Sequence, residues 1–311
     1  MTRVIFVASW SRSGSTLLDL LLGHVAGVRS LGEVRYLWDR GMLENQLCGC
    51  LRPFSNCPFW GGVLDRLARE GAVPDAGAML AVRERLSRPA ALPRLLRASR
   101  GQRARGELAA YADALGRVLH AAADVSGARL VVDSSKYATH GLALASAHDV
   151  ELHVVHVVRD SRAVAHSWQR VKRLPEVHWK VEHMPRKSPA RSAFHWAREN
   201  AAIGLLASRA RSYVRLRYED VVRRPAEALR RVISATGEPS PDVAFLRDGG
   251  LELAENHLVA GNPVRFTRGW TPVSADTEWR QAMPAGQRTL VTALTWPLLL
   301  AYGFALRREV A

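Results

Sequence analysis

The residues best suited to chemistry crowd into the first forty positions. An apolar run from Val4 to Ala8 leads into Ser9-Trp10-Ser11-Arg12-Ser13-Gly14-Ser15-Thr16, and the apolar stretch Leu17 to Leu22 follows. A β-branched and aromatic run, a small-residue turn and an apolar helix start predict a strand, a loop and a helix N-terminus. A helix start leaves backbone N–H groups unpaired and carries partial positive charge, so it seats an oxyanion. Ser11, Ser13, Ser15 and Thr16 add hydroxyl donors, Arg12 adds a planar guanidinium fork, and Gly14 lets the backbone approach closely. The chemistry such a loop serves is the holding of phosphate or sulfate groups.

The nucleoside-triphosphate loop, G-x-x-x-x-G-K-[ST], is the obvious competitor. Aligned on Gly14, the chain has Ser9 where the first Gly belongs and Ser15 where the Lys belongs, so the triphosphate reading is damaged. A Ser-rich strand-to-helix turn without a ligand is the plain alternative on this stretch alone.

Further strands are needed to hold such a loop. Ala128 to Asp133 reads as a second strand, ending in Ser134-Ser135-Lys136-Tyr137 before a helix, and Glu151 to Val158 reads as a third. A fourth, Tyr213 to Tyr218, precedes Glu219-Asp220 and an amphipathic helix opened by Pro225. Short apolar strands separated by helices predict an α/β fold with a central, mainly parallel sheet covered on both faces and ligands at the strands' carboxyl ends. The third strand ends in Arg159-Asp160-Ser161-Arg162, and Ser167 lies in the helix that follows, where it can face the same ligand as Arg159.

Two regions stand apart from the strand-helix pattern. Val63 to Ala123 alternates Ala, Leu and Arg at helical spacing, which predicts a helical insertion within one domain spanning 1–311. Gln169 to Arg191 is polar, broken by three prolines and of lid length; it holds three of the four lysines of the chain. Near the C-terminus, Leu290 to Phe304 predicts a buried helix, too short for a membrane span. The strand starts almost at Met1, which leaves no room for a signal peptide and points to the cytoplasm.

The chain has 311 residues and a formal net charge of +15, yet it shows no block of consecutive basic residues and no zinc-finger or RNP pattern. Acidic ligands are favoured, and nucleic acid is not expected as a partner. Cys48, Cys50 and Cys57 form an odd trio with no adjacent His, one ligand short of a structural zinc site. Buried thiols or a Cys50–Cys57 or Cys48–Cys57 bridge are the expected states, and cytoplasmic redox conditions argue for thiols.

Together these stretches resemble the sulfotransferases that use 3′-phosphoadenosine 5′-phosphosulfate (PAPS), over most of the chain and least in the insertion and the lid. Ser11 to Thr16 is similar to the family's 5′-phosphosulfate loop, and Arg159 through Ser167 is similar to its 3′-phosphate motif with the Arg-to-Ser interval intact. Arg217-Tyr218-Glu219-Asp220 resembles the family's Tyr-Glu-Asp segment near the adenine. Arg265 through Gly269, with Arg268, resembles the C-terminal Arg-Gly segment that closes over the 3′-phosphate. The resemblance implies PAPS as sulfonate donor, no catalytic metal, and a donor site of Arg12, Ser13, Gly14, Ser15, Thr16, Arg159, Ser167, Tyr218, Arg265, Arg268 and Gly269.

It also implies a base. Gly32-Glu33-Val34-Arg35 is similar to the Gly-Glu-x-x-Arg-like segment of the tyrosylprotein sulfotransferases, which makes Glu33 the expected proton acceptor; a surface ion pair is its plain alternative. Other branches use a His, for which His140 and His24 are the candidates by position. Lys136 resembles the family Lys that steadies the transferring group, its rival role being a salt bridge to Asp133. The acceptor is left open among small molecules, carbohydrates and peptide tyrosine. A nucleotide-dependent kinase on a related fold and a non-catalytic nucleotide-binding module are the rival functions.

Overall fold

The computed structural model describes residues 1–98 and 105–306. The part of the expected helical insertion at 99–104 lies outside the described residues.

β1 (Thr2–Ser9) leads through the serine-rich loop into α1 (Ser15–Leu22) and β2 (Val28–Ser30). Four helices follow: α2 (Pro58–Arg69), α3 (Ala76–Leu86), α4 (Leu92–Ala98) and α5 (Glu107–Ser126). The chain then returns through β3 (Leu130–Lys136), α6 (Ala138–Leu144), β4 (Val150–Val158), α7 (Ser161–Ser167), α8 (Pro189–Gly204), β5 (Ser212–Arg217), α9 (Tyr218–Arg223) and α10 (Pro225–Ala235). Last come β6 (Leu246–Arg247), β7 (Gly250–Leu253), β8 (Gly269–Pro272), α11 (Trp279–Ala282) and α12 (Ala285–Ala301).

The fold is α/β. β1 to β5 form one sheet in the order β2-β3-β1-β4-β5, with every neighbouring pair parallel. Both faces are apolar because successive side chains alternate. Val4, Phe6 and Ala8 pack with α5 and α6 residues such as Leu115 and Leu142. Ile5 and Val7 turn the other way and meet Leu18 and Leu21 of α1 and Leu229 of α10. The Glu107–Ser126 helix ends where Gly127 takes a left-handed conformation, φ 62°, a turn that glycine makes without strain.

β3 carries an irregularity that matters for the site. Phe6 pairs with Asp133 but Ala8 pairs with Lys136, so three steps along β3 match two along β1. Such a bulge re-aims the side chains beyond it. β3 therefore runs to Lys136 rather than stopping at Asp133, and Lys136 sits at φ 72°.

Three sequence expectations change. The C-terminal helix is mostly exposed: Val291, Thr295 and Leu299 face the protein, while Leu290, Leu294, Trp296 and Leu300 are exposed. Its inward residues recur every fourth position, which turns a single stripe inward. A second sheet, β6-β7-β8, is antiparallel and was not anticipated, since its strands have two to four residues. The cysteine trio is not without a histidine, because folding brings His257 to within hydrogen-bond distance of Cys57, Sγ to Nδ1 3.2 Å. All three cysteines are buried, and none is joined in a disulfide.

The lid region has no helix or strand as far as Ser188, and α8 then starts at Pro189, before the expected lid ends at Arg191. The lid runs out and back, with the Leu174 N–H donating to Glu182 O at 2.8 Å and the Met184 N–H donating to Lys172 O at 2.8 Å. Among the described residues no helix is long and apolar enough to cross a membrane.

Candidate active site

The loop after β1 is shaped by two left-handed residues, Arg12 at φ 74° and Gly14 at φ 88°, on either side of Ser13. Alternating backbone handedness turns successive N–H groups toward one side and makes a concavity for an anion. Arg12 is no glycine, and its conformation costs on the order of 1 kcal/mol, a strain that loops of this kind carry for function. Gly14 is required twice over. A Cβ there would lie 2.3 Å from the Tyr218 ring, so only glycine lets the α1 N-terminus close against that ring.

A cavity of about 490 Å³ opens at the carboxyl ends of β1, β3 and β4. Arg12, Gly14, Ser15, Thr16, Glu33, Lys136, Arg159, Ser167 and Tyr218 all line it. Nine sequence-predicted site residues thus meet at one place, drawn from positions spread over two hundred residues. A larger cleft of about 970 Å³ shares Tyr218 and Asp276 with it but contains neither the loop nor Glu33.

At the cavity wall, Lys136 Nζ forms an ion pair with Glu33 Oε1, and both side chains are over nine-tenths buried. The bulge in β3 delivers Lys136. Glu33 is delivered by a tight turn: Gly32 sits at φ 80°, its carbonyl accepts from the Ser134 N–H at 2.8 Å, and the Glu33 N–H donates to Ala260 O at 3.2 Å. Lys136 does not pair with Asp133, its rival partner. Asp133 instead accepts the Val34 N–H at 3.3 Å and the Ser135 N–H at 2.9 Å, and it binds His140 Nε2 at 2.8 Å. That commits His140 to the core, and neither it nor His24 lines the cavity. His24 holds two backbone carbonyls, Leu20 O at 2.8 Å and Glu252 O at 3.0 Å.

Several cations share the cavity. The Arg12 guanidinium lies over the Trp168 ring, 5.1 Å from its centroid, and burial pulls its pKa below the ordinary value. Lys172 of the lid is pulled down first by burial and then by Arg12 and Arg170. Arg159 lies over the Tyr218 ring at 4.6 Å and donates to Arg12 O at 3.2 Å. An acid answers them. Asp276 lies 3.3 Å from Arg159 Nη2 and takes both arms of Arg170, at 3.0 and 3.1 Å.

The C-terminal arginines and Ser13 are placed differently. Arg265 is fully buried and donates to Gly261 O at 3.4 Å and Leu47 O at 3.1 Å. Arg268 donates to Arg265 O at 3.0 Å, Thr267 O at 2.9 Å and Gly49 O. Neither arginine lines the cavity, nor does Gly269, which opens β8. Ser13 is wholly buried inside the loop.

Sequence reasoning missed Arg40, Trp168, Lys172, Asn262 and Asp276 as lining residues. Lys172 had a signal in the clustering of lysines in the lid. Asp276 lies in an irregular segment and Arg40 in a short π-helix, Leu37–Leu43, so neither has an ordinary helix or strand period to tell which way its side chain points.

Known proteins resemble this chain as follows. A model of the Sulfotransferase family matches residues 4–242. A solved sulfotransferase domain from the curacin biosynthetic pathway is similar in fold, with a TM-score of 0.54 at 17% identity over 98% of this chain and 99% of that one. A sulfotransferase domain of the Synechococcus PCC 7002 olefin synthase has a TM-score of 0.47 at 19% identity, over 96% of this chain and 94% of its own. The sulfotransferase STF9 from Mycobacterium avium has a TM-score of 0.48 at 13% identity, over 98% of this chain and 78% of its own. No curated protein matches the sequence. The family match covers well over half of the chain, from β1 through α10, and on that ground the chain belongs to the sulfotransferase family.

Proposed function

We propose that the protein transfers a sulfonate group from PAPS to a hydroxyl, or less readily an amine, of a small-molecule or carbohydrate acceptor, leaving adenosine 3′,5′-bisphosphate. The observation that carries this reading is the buried Glu33–Lys136 pair, set in the wall of the same cavity as Arg12, the α1 N-terminus and Arg159. The loop residues fit a polyanionic donor. Arg12 Nη1, Ser13 Oγ and Arg159 Nε are buried without a protein hydrogen-bond partner, and donors in that state are costly unless an acceptor meets them.

When bound, PAPS supplies a sulfonate joined to a phosphate leaving group. Arg12, Ser13, Gly14, Ser15 and Thr16 would hold its 5′ end, Arg159 and Ser167 its 3′-phosphate, and Tyr218 would stand beside the nucleoside. Arg265, Arg268 and Gly269 act from outside the cavity, by fixing the loop that carries Gly261 and Asn262. Glu33 takes the proton of the acceptor hydroxyl. Lys136 and Arg12 donate toward oxygens on which charge builds, in a site where donors held in place need no reorganisation. Trp10, Tyr36, Tyr137, Trp168, Leu174 and Met184 give the cavity an aromatic and apolar side. That side suits the body of the acceptor.

Labelled PAPS offered with a panel of phenols, alcohols, sugars and amines tests the reading. Label is expected in a hydroxyl acceptor, and Glu33→Gln should cut kcat by roughly 10²–10⁴-fold, the range of a lost general base. Transfer undiminished in Glu33→Gln would remove Glu33 from its role. Failure of every acceptor class would contradict the activity itself.

A further inference from the structure

The three cysteines and His257 lie outside the cavity and take no part in the proposed chemistry. Their ligand atoms, three Sγ and one ring nitrogen, all lie within 4.8 Å of one another. In a tetrahedral zinc site with Zn–S bonds of about 2.3 Å, sulfurs sit about 3.8 Å apart. The cluster therefore reaches metal-binding dimensions with small side-chain movements. The odd thiol number no longer argues against zinc, because the fourth ligand arrives from two hundred residues away.

The backbone holds these groups in place without help from a metal. Cys48 begins a tight turn, in which its N–H donates to Arg52 O at 2.9 Å and its carbonyl accepts from the Leu51 N–H at 2.8 Å. Leu51 takes the left-handed conformation, φ 65°, that this turn needs. Cys57 precedes α2, with Pro58 as the first residue of that helix. The carbonyl of His257 accepts from Trp60 Nε1 at 2.8 Å, and the Phe59 ring packs against the imidazole at 5.5 Å between centroids. Three thiolates on one zinc leave a net negative charge, and two cations stand ready for it. Arg29 is electrostatically coupled to Cys57 and Cys48, and Arg265 to Cys48.

We propose that Cys48, Cys50, Cys57 and His257 form a closed, four-coordinate structural zinc site. Four protein ligands leave no open position, so the ion does no chemistry on substrate. Binding turns three thiols into thiolates, releases their protons to solvent and changes no oxidation state. The site staples the cysteine loop to the segment that follows His257. That segment reaches the active site: the Val259 N–H donates to Leu31 O at 2.9 Å, Ala260 O accepts from Glu33, and the Asn262 N–H donates to Thr16 Oγ1 at 3.1 Å. Zinc thus steadies the wall on which Glu33 is mounted.

The test is elemental analysis of the full chain, purified without a metal-affinity tag. About one zinc per chain is expected, falling roughly tenfold or more in Cys57→Ser and in His257→Ala. His257→Cys, which restores a four-ligand set, should keep the metal and serves as the control if the other variants fold poorly. Protein expressed in cobalt-supplemented medium should show the intense visible absorption of a tetrahedral cobalt–thiolate centre. Wild-type protein without metal, whether with three titratable thiols or with a disulfide, would overturn the proposal. So would metal retained undiminished in Cys57→Ser, which would mark it as adventitious.

Discussion

Asp276 occupies the position at which a bound anion would compete for Arg159. Its carboxylate is 3.3 Å from Arg159 Nη2 and is also gripped by Arg170. On the proposed reading, a 3′-phosphate approaching Arg159 would meet that negative charge, and its affinity would be set by a contest between two anions. Asp276→Asn removes one contestant while keeping the side chain's shape. It should tighten adenosine 3′,5′-bisphosphate binding by roughly tenfold, about 1.4 kcal/mol. Unchanged or weaker binding in a titration would show that Asp276 positions Arg159 rather than competing for it. At this scale the sequence was informative where motifs were local. Arg12, Glu33, Lys136 and Arg159 could be named from short stretches, because each sits at the end of a strand or in the turn after it. Lys136's partner could not, since the choice between Asp133 and Glu33 depends on a bulge in β3 that no residue pattern announces.

At the scale of elements, α1 and β3 meet under the loop through a buried acid. Asp19 is fully buried, and its Oδ2 accepts from Ser134 Oγ at 2.6 Å while Oδ1 has no partner. Burial pushes its pKa up from 3.8 to about 7, more than the hydrogen bond from Ser134 pulls it down. The folded state therefore favours the protonated acid, whereas the unfolded chain ionises at about 3.9. Between these values the folded state holds more protons, so this group's contribution to stability is full at low pH and is lost as pH rises toward 7. Asp19→Asn should flatten that loss. The melting-temperature difference between variant and wild type is expected to shift in favour of the variant as pH rises from about 4 to 7. A difference independent of pH would contradict the buried-acid account. The elements themselves were largely legible. β1, β3 and β4 announce themselves by short apolar runs, because a parallel strand inside the sheet is buried on both faces, while β5 at the sheet edge reads as an alternation, with Val214 and Leu216 buried and Arg215 exposed. The β6-β7-β8 sheet was not legible, because strands of two to four residues are too short for a period to emerge.

Over the whole molecule, the chain's excess of arginine is put to different uses by position. Arg12 and Arg159 face the cavity, Arg265 and Arg268 clasp backbone carbonyls, and Arg162 pairs with Asp160 at 2.6 Å while holding Ala305 O at 2.8 Å. Composition cannot tell these roles apart, and two arginines that the resemblance implied for the donor site lie outside the cavity. The same holds for His257, which no spacing rule links to the cysteines. Long-range pairing is what the fold adds: it gathers the Glu33 carboxylate, the Lys136 ammonium and the Arg12 and Arg159 guanidinium groups at the carboxyl end of a single parallel sheet.

On the proposed reading, this cavity is a PAPS donor site and not a triphosphate site. Calorimetric titration of the purified protein with adenosine 3′,5′-bisphosphate, and separately with ATP and Mg²⁺, tests it directly, with Arg159→Ala beside the wild type. Binding of the bisphosphate in preference to ATP is expected. Loss of Arg159's charge-assisted hydrogen bonds should weaken it by roughly ten- to a hundred-fold, on the order of 1.5–3 kcal/mol. Binding of ATP with Mg²⁺ and not of the bisphosphate would contradict the donor site and point instead to a nucleotide-dependent kinase.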